Sequence, residues 1–249
     1  MRVNFVFLLL LPVFSLCSCR SINHDNTETK RPHALVYLSF DDGPNSQGDT
    51  SARLLDVLAR YRVSALFSLL GVNAEHNPDL VRRIYDEGHY IVNHGYSEKF
   101  SYRMSDTEFR NNLLRGEAAI SAALGKDLYP KLYRPQGGFY FSRQETIWRK
   151  EGYTLFPGTI RIYDTRLTAA EREKAVKRVL KKTEQQGGGI ILLHDGMNSH
   201  YAMKKELEKN PAGIYNRSWI PAAVEEIIIE LKSKGYILGD PNTLTLKDF

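Results

Sequence analysis

From residue 34 onward, short apolar runs alternate with longer amphipathic stretches, and this alternation constrains the fold more than any other feature. Runs at 34–40, 64–70, 90–93, 131–133, 154–156, 189–193 and 236–238 read as strands, being rich in Val, Ile, Leu, Phe and Tyr and bounded by turn residues. Between them, 50–61, 78–87, 106–124, 142–150, 168–186 and 221–234 repeat apolar residues with the period of about 3.6 expected of helices with one buried face. Ser105 with Glu108 and Thr168 with Glu171 have capping-box spacing, and Gly88, Gly125 and Gly235 stand where a left-handed residue closes a helix. Repeated strand–helix–strand units demand parallel pairing, because each helix returns the chain to the same end of the sheet. For 249 residues this predicts an α/β fold, a distorted (β/α) barrel in a single domain. No G-x-G-x-x-G follows the first strand, which argues against a dinucleotide-binding sheet.

The N-terminus follows a different logic. Met1-Arg2 leads into VNFVFLLLLPVFSL and then Cys17-Ser18-Cys19, an apolar stretch too short to cross a bilayer comfortably. A signal peptide over 1–19 and an exported, cell-envelope chain are expected. Leu16-Cys17-Ser18-Cys19 is similar to the lipobox of bacterial lipoproteins, and that likeness makes Cys19 the lipid-bearing residue and a membrane anchor. Residues 20–33, polar and aperiodic, read as a tether, with the folded domain over 34–249. Both cysteines lie in the leader, so no disulfide is expected in the domain. The formal charge is +5, the basic residues are scattered, and no run interleaves them with aromatics, which argues against a nucleic-acid partner.

Chemistry-bearing residues fall at strand ends. The first strand closes in SFDDGP (39–44), the third in NHGYSE (93–98), the fourth in RPQGG (134–138) and the sixth in HDG (194–196). Asp41-Asp42 alone reads equally well as a polar turn or as a pair in which one acid holds a metal and the other takes a proton. His or Arg followed by Gly at three further strand ends favours the second reading, because parallel strands deliver those ends to one face.

These motifs resemble, in order and spacing over roughly residues 34–238, those of the polysaccharide deacetylases, carbohydrate esterase family 4 or NodB-homology domains. The resemblance implies a metal-dependent hydrolase that removes acetyl groups from N-acetylated sugars, here a peptidoglycan or related glycan. It implies Asp42 and His94 as metal ligands, Asp41 as general base, His194 as general acid and Arg134 as the partner that keeps Asp41 ionised. Leu192 or Leu193 would line a pocket for the acetyl methyl, and Asp164 would orient His194 in competition with Asp195. Zn²⁺ is the implied cofactor.

Two departures stand out. The family's second metal-binding His is replaced by Glu98, which shares a face with His94 if a helical turn follows it. An Asp/His/Glu set would carry more negative charge and shift preference toward Mn²⁺, Fe²⁺ or Co²⁺. RPQGG lacks the family's usual Pro and aromatic, so Gln136 and Gly137 are expected to leave one wall of the substrate groove open and polar. A glycan-binding lipoprotein with a degenerate metal site and an O-acetyl esterase are the rival readings. Residues 195–220, a long connection, are expected to form a lid or rim.

Overall fold

The computed structural model describes residues 34–241; the predicted leader, Cys19 and the tether lie outside them. The strands are β1 (Leu35–Gly43), β2 (Ala65–Leu69), β3 (Tyr90–Asn93), β4 (Leu132–Tyr133), β5 (Thr154–Leu155), β6 (Ile160–Arg161), β7 (Gly189–His194) and β8 (Ile237–Leu238). They form one parallel sheet in the order β5-β4-β3-β2-β1-β7-β6, with β8 beside the start of β1. The helices are α1 (Thr50–Tyr61), α2 (Gly71–His76), α3 (Pro78–Asp86), α4 (Asp106–Leu124), α5 (Ser142–Lys150), α6 (Arg172–Gln186), α7 (His200–Lys209) and α8 (Ile220–Ser233). The sheet curls into a partial barrel clad by helices, as the strand–helix alternation predicts. Among the described residues no helix is long and apolar enough to cross a membrane.

Alternation along each strand decides what faces where. Val36, Leu38 and Phe40 of β1, Phe67 and Leu69 of β2, and Ile191 and Leu193 of β7 point outward into one core. There they meet Leu54, Leu55 and Leu58 of α1, Val176 and Val179 of α6, and Val224, Ile227 and Leu231 of α8. Each such buried side chain contributes about 1.5–3 kcal/mol. The intervening residues point inward, where Tyr37, Leu66, Val92, Leu132, Phe156 and Ile190 form a small apolar plug. Two residues farther along their strands stand Ser39, Ser68, His94, Arg134 and Leu192, and Asp41 and His194 lie two beyond Ser39 and Leu192. The plug closes the inside of the sheet, and the polar residues lie on its C-terminal side.

Ser105 caps α4 with Glu108, and Gly125 ends it at φ 69°, both as the spacing predicts. Trp148 is fully buried against Phe109, Tyr133 and Tyr153, so it packs the fold. Residues 195–220, the long connection, carry α7.

Candidate active site

β1 brings two consecutive acids into one site through a bulge. Asp41 pairs with Ser68 of β2 and with His194 of β7, but the next paired residue is Gly43, opposite Leu69; Asp42 is squeezed out at φ 67°. Asp tolerates this left-handed backbone better than most side chains, and a bulge re-aims the residue it displaces. Strict alternation would send Asp42 to the opposite face. Instead its Oδ1 lies 3.4 Å from His94 Nε2, while Asp41 Oδ2 lies 3.9 Å from the same nitrogen. Asn73 holds the bulge by donating to the Asp42 carbonyl at 2.9 Å. Its other contacts, to the Asn198 carbonyl at 2.9 Å and from the His200 amide at 2.7 Å, tie the bulge to the start of α7. Gly196 passes so close that a Cβ there would collide with the Asp42 carbonyl, which accounts for the glycine after His194-Asp195.

Asp41 and Arg134 are 4% and 2% exposed and form a buried ion pair. Burial alone would raise the Asp41 pKa. Arg134, and after it His94 and His194, outweigh burial and hold the carboxyl below its ordinary value. Arg134 is itself fixed by donating to Ser39 Oγ and to the carbonyls of Phe156 and Pro157, the last two at 3.1 Å.

His94 Nδ1 lies 2.7 Å from the Arg134 carbonyl. A carbonyl only accepts, so Nδ1 carries a proton and Nε2 is the ring nitrogen turned toward Asp42 and Asp41. The His94 ring nitrogen beside the Asp42 carboxylate is a donor pair suited to a divalent cation. Glu98 does not complete it. Among the described residues, no three His, Cys, Asp or Glu side chains are gathered in metal-ligating positions. The reason lies in the backbone: after His94 the chain bends through Gly95 at φ 81° instead of entering a helical turn, so residues four apart do not share a face, and Glu98 stays half-exposed.

Gln136 also departs from expectation. It is 2% exposed and turned away from the groove: its amide donates to the carbonyls of His94 and Ser97, and its Oε1 accepts from Ser101. It pins the turn that carries His94. Gly137 is exposed, at φ 72°, against the Phe100 ring. Of the two leucines, Leu193 belongs to the outward core and only Leu192 shares the inward face with His194.

The acid side of the site is equally enclosed. Asp164, fully buried, accepts from His194 Nδ1 at 3.0 Å and from the His194 amide at 2.9 Å. Burial alone would lower the His194 pKa, but Asp164, with smaller help from Asp42 and Asp41, pushes it up to about 9. Asp195, the competitor for this role, points elsewhere, to Ser51 and beneath Gly43. Arg217 enters this side of the site from the long connection over 195–220. It is 1% exposed and donates to Asp164 Oδ2 at 2.5 Å and to the carbonyls of Asp164 and His194 at 3.1 and 3.0 Å. Arg217→Ala leaves Asp164 buried without its fixed cation and is expected to cost about 3–5 kcal/mol, read from a urea titration. An exposed ion pair would give under about 1 kcal/mol.

Comparison with known proteins agrees with this fold. The family model for polysaccharide deacetylases matches residues 28–156, just over half of the chain. A peptidoglycan-N-acetylglucosamine deacetylase of Bacillus cereus is 28% identical over 209 residues, covering 84% of this chain and 87% of that one. The crystal structure of a Bacillus cereus polysaccharide deacetylase superposes with a TM-score of 0.64 at 27% identity, covering 85% of this chain and 94% of that one. A family 4 acetyl xylan esterase from Clostridium thermocellum, in complex with a cobalt ion, gives 0.63 at 28% identity over 82% and 87%. With the matched span, the parallel sheet and the acids, histidines and arginine at its strand ends, the chain belongs to the polysaccharide deacetylase family.

Proposed function

We propose that this chain is a metal-dependent hydrolase that removes acetyl groups from the N-acetylated sugars of a cell-envelope glycan, with peptidoglycan as the substrate polymer. One observation carries the reading. Asp41 and His194 are register partners on adjacent strands, so their Cα atoms stand about 5 Å apart, and their environments drive them to opposite protonation states. A base kept ionised beside an acid kept protonated is the arrangement that amide hydrolysis requires.

Asp42 and His94 would hold a divalent cation, Zn²⁺ or a related ion, which when bound acidifies water and stabilises an oxyanion. Asp41, held by Arg134, takes the proton of the attacking water. His194, held by Asp164, gives its proton to the departing amine, which is a poor leaving group until protonated. Leu192 supplies an apolar surface for the acetyl methyl. The similarity to a peptidoglycan-N-acetylglucosamine deacetylase supports the choice of polymer. The leader and Cys19, outside the described residues, support export and lipid anchoring.

Acetate release from N-acetylglucosamine oligomers by the purified chain tests the proposal. Release that is lost on chelation and restored by Zn²⁺ is the expected result. The similarity to an acetyl xylan esterase favours one second reading, O-deacetylation, and faster release from acetylated xylan than from the amide oligomers would establish it instead. No acetate from either substrate, with no bound metal, would leave a glycan-binding protein.

A further inference from the structure

Arg161 is a charged side chain that neither the apolar plug nor the acid–base pair uses. Ile160 points outward into the core opposite Ile191, so Arg161, the next residue, points inward beside Leu192. On its other side Leu192 pairs with Ser39, and two residues farther along the same strands Asp41 faces His194. From the usual strand spacing and rise, the Arg161 Cα stands roughly 8 Å from that of His194.

The guanidinium reaches Gly138, the last residue of RPQGG. A Cβ at Gly138 would collide with both η nitrogens, so the absence of a side chain at Gly138 is what lets the guanidinium lie against this wall. Nε donates to the Gly158 carbonyl at 3.3 Å, and among the described residues no carboxylate is paired with the η nitrogens. Arg161 is half-buried, on the inward face, with the two-pronged end of its fork free of an acidic partner. That geometry suits a planar carboxylate, which accepts two parallel hydrogen bonds from a guanidinium.

We propose that Arg161 is a specificity-determining residue that binds a carboxylate carried by the glycan close to the acetamido group being cleaved, so that acidic N-acetylated glycans are preferred over neutral ones. The inference rests on the deacetylase reading for its substrate, but its test does not depend on turnover. Lactyl ethers and uronates both present this group, and an oligomer of each shows which one supplies it.

For each oligomer, the free acid is compared with its methyl ester, measuring kcat/KM by acetate release and Kd by calorimetry. Wild type is expected to prefer the free acid by about tenfold, the scale of a charge-assisted hydrogen bond at a partly exposed site. In Arg161→Gln the ratio between acid and ester falls to near one. Arg161→Lys, which keeps the charge without the fork, lies between. An arginine that merely fills the space over Gly138 predicts that both substrates weaken alike and the ratio stays fixed, which would overturn the proposal. So would a wild-type protein that does not discriminate, a result available even if the Gln variant fails to fold. A binding preference without acetate release would retain the carboxylate site and reject the deacetylase reading.

Discussion

Asp41→Asn is expected to lower acetate release by about 10²–10⁴-fold while leaving bound metal unchanged, whereas Asp42→Asn loses metal and turnover together. The bulge in β1 separates the two roles. Asp41 stays in register, deep in the sheet, its carboxylate held by Arg134; Asp42 is rotated out at φ 67° to meet His94 Nε2 at 3.4 Å. Asn at 41 can still accept a hydrogen bond from Arg134 and fills the same space, but it cannot take a proton from water. It also leaves Arg134 as a buried cation without its counter-charge, so some stability is lost, and a urea midpoint measured beside the metal content separates that loss from the loss of chemistry. Asn at 42 is a weaker ligand without charge, in a set where the described residues supply no third gathered donor. Equal metal loss in both variants would show that the two carboxylates share one role and that the bulge does not divide them.

The legible and illegible parts of this site differ in a physical way. Asp41, Asp42, His94, Arg134 and His194 were readable because each follows an apolar run directly, and a parallel sheet sends the end of every such run to one face. Asp164 was harder to place: it follows β6, two residues long, which no apolar run announces and which exists because Ile160 and Arg161 can pair with β7. Arg217 carried no local signal. Its position against Asp164 depends on how residues 195–220 fold back, and in sequence it is one arginine in a polar connection. Gln136 and Glu98 were misplaced for a shared reason, since both assignments assumed a side-chain direction that the backbone did not take. A chain that bends at Gly95 carries Glu98 off the face expected of it, and Gln136 turns inward to satisfy the carbonyls which that bend exposes. The bulge itself was half-announced, because Asp and Gly are the residues that tolerate positive φ, but only pairing with both neighbouring strands shows which of them is displaced.

Asp164→Asn is expected to move the alkaline limb of kcat/KM downward from near pH 9 and to cut the rate at pH 8–9 by about tenfold. In the wild type, burial alone would lower the His194 pKa; Asp164 is the largest of the opposing influences, and together they place it at about 9. The acid form therefore prevails at neutral pH, and activity falls as pH rises through that value. Removing the negative charge while keeping the shape leaves burial dominant, with Arg217 still bonded to the His194 carbonyl as a nearby cation. Both forces favour neutral imidazole against the smaller opposing pull of Asp42 and Asp41, so less of the proton intended for the leaving amine is held at working pH. Stability must follow the same sign. A histidine whose folded pKa exceeds its unfolded value of 6.5 stabilises the fold fully below 6.5, and that contribution is lost as pH rises through 9. The wild-type denaturation midpoint should thus be lower at pH 9.5 than at pH 6, with a smaller His194-dependent decline in the Asn variant. An alkaline limb unmoved by the substitution would mean that a group other than His194 delivers the proton.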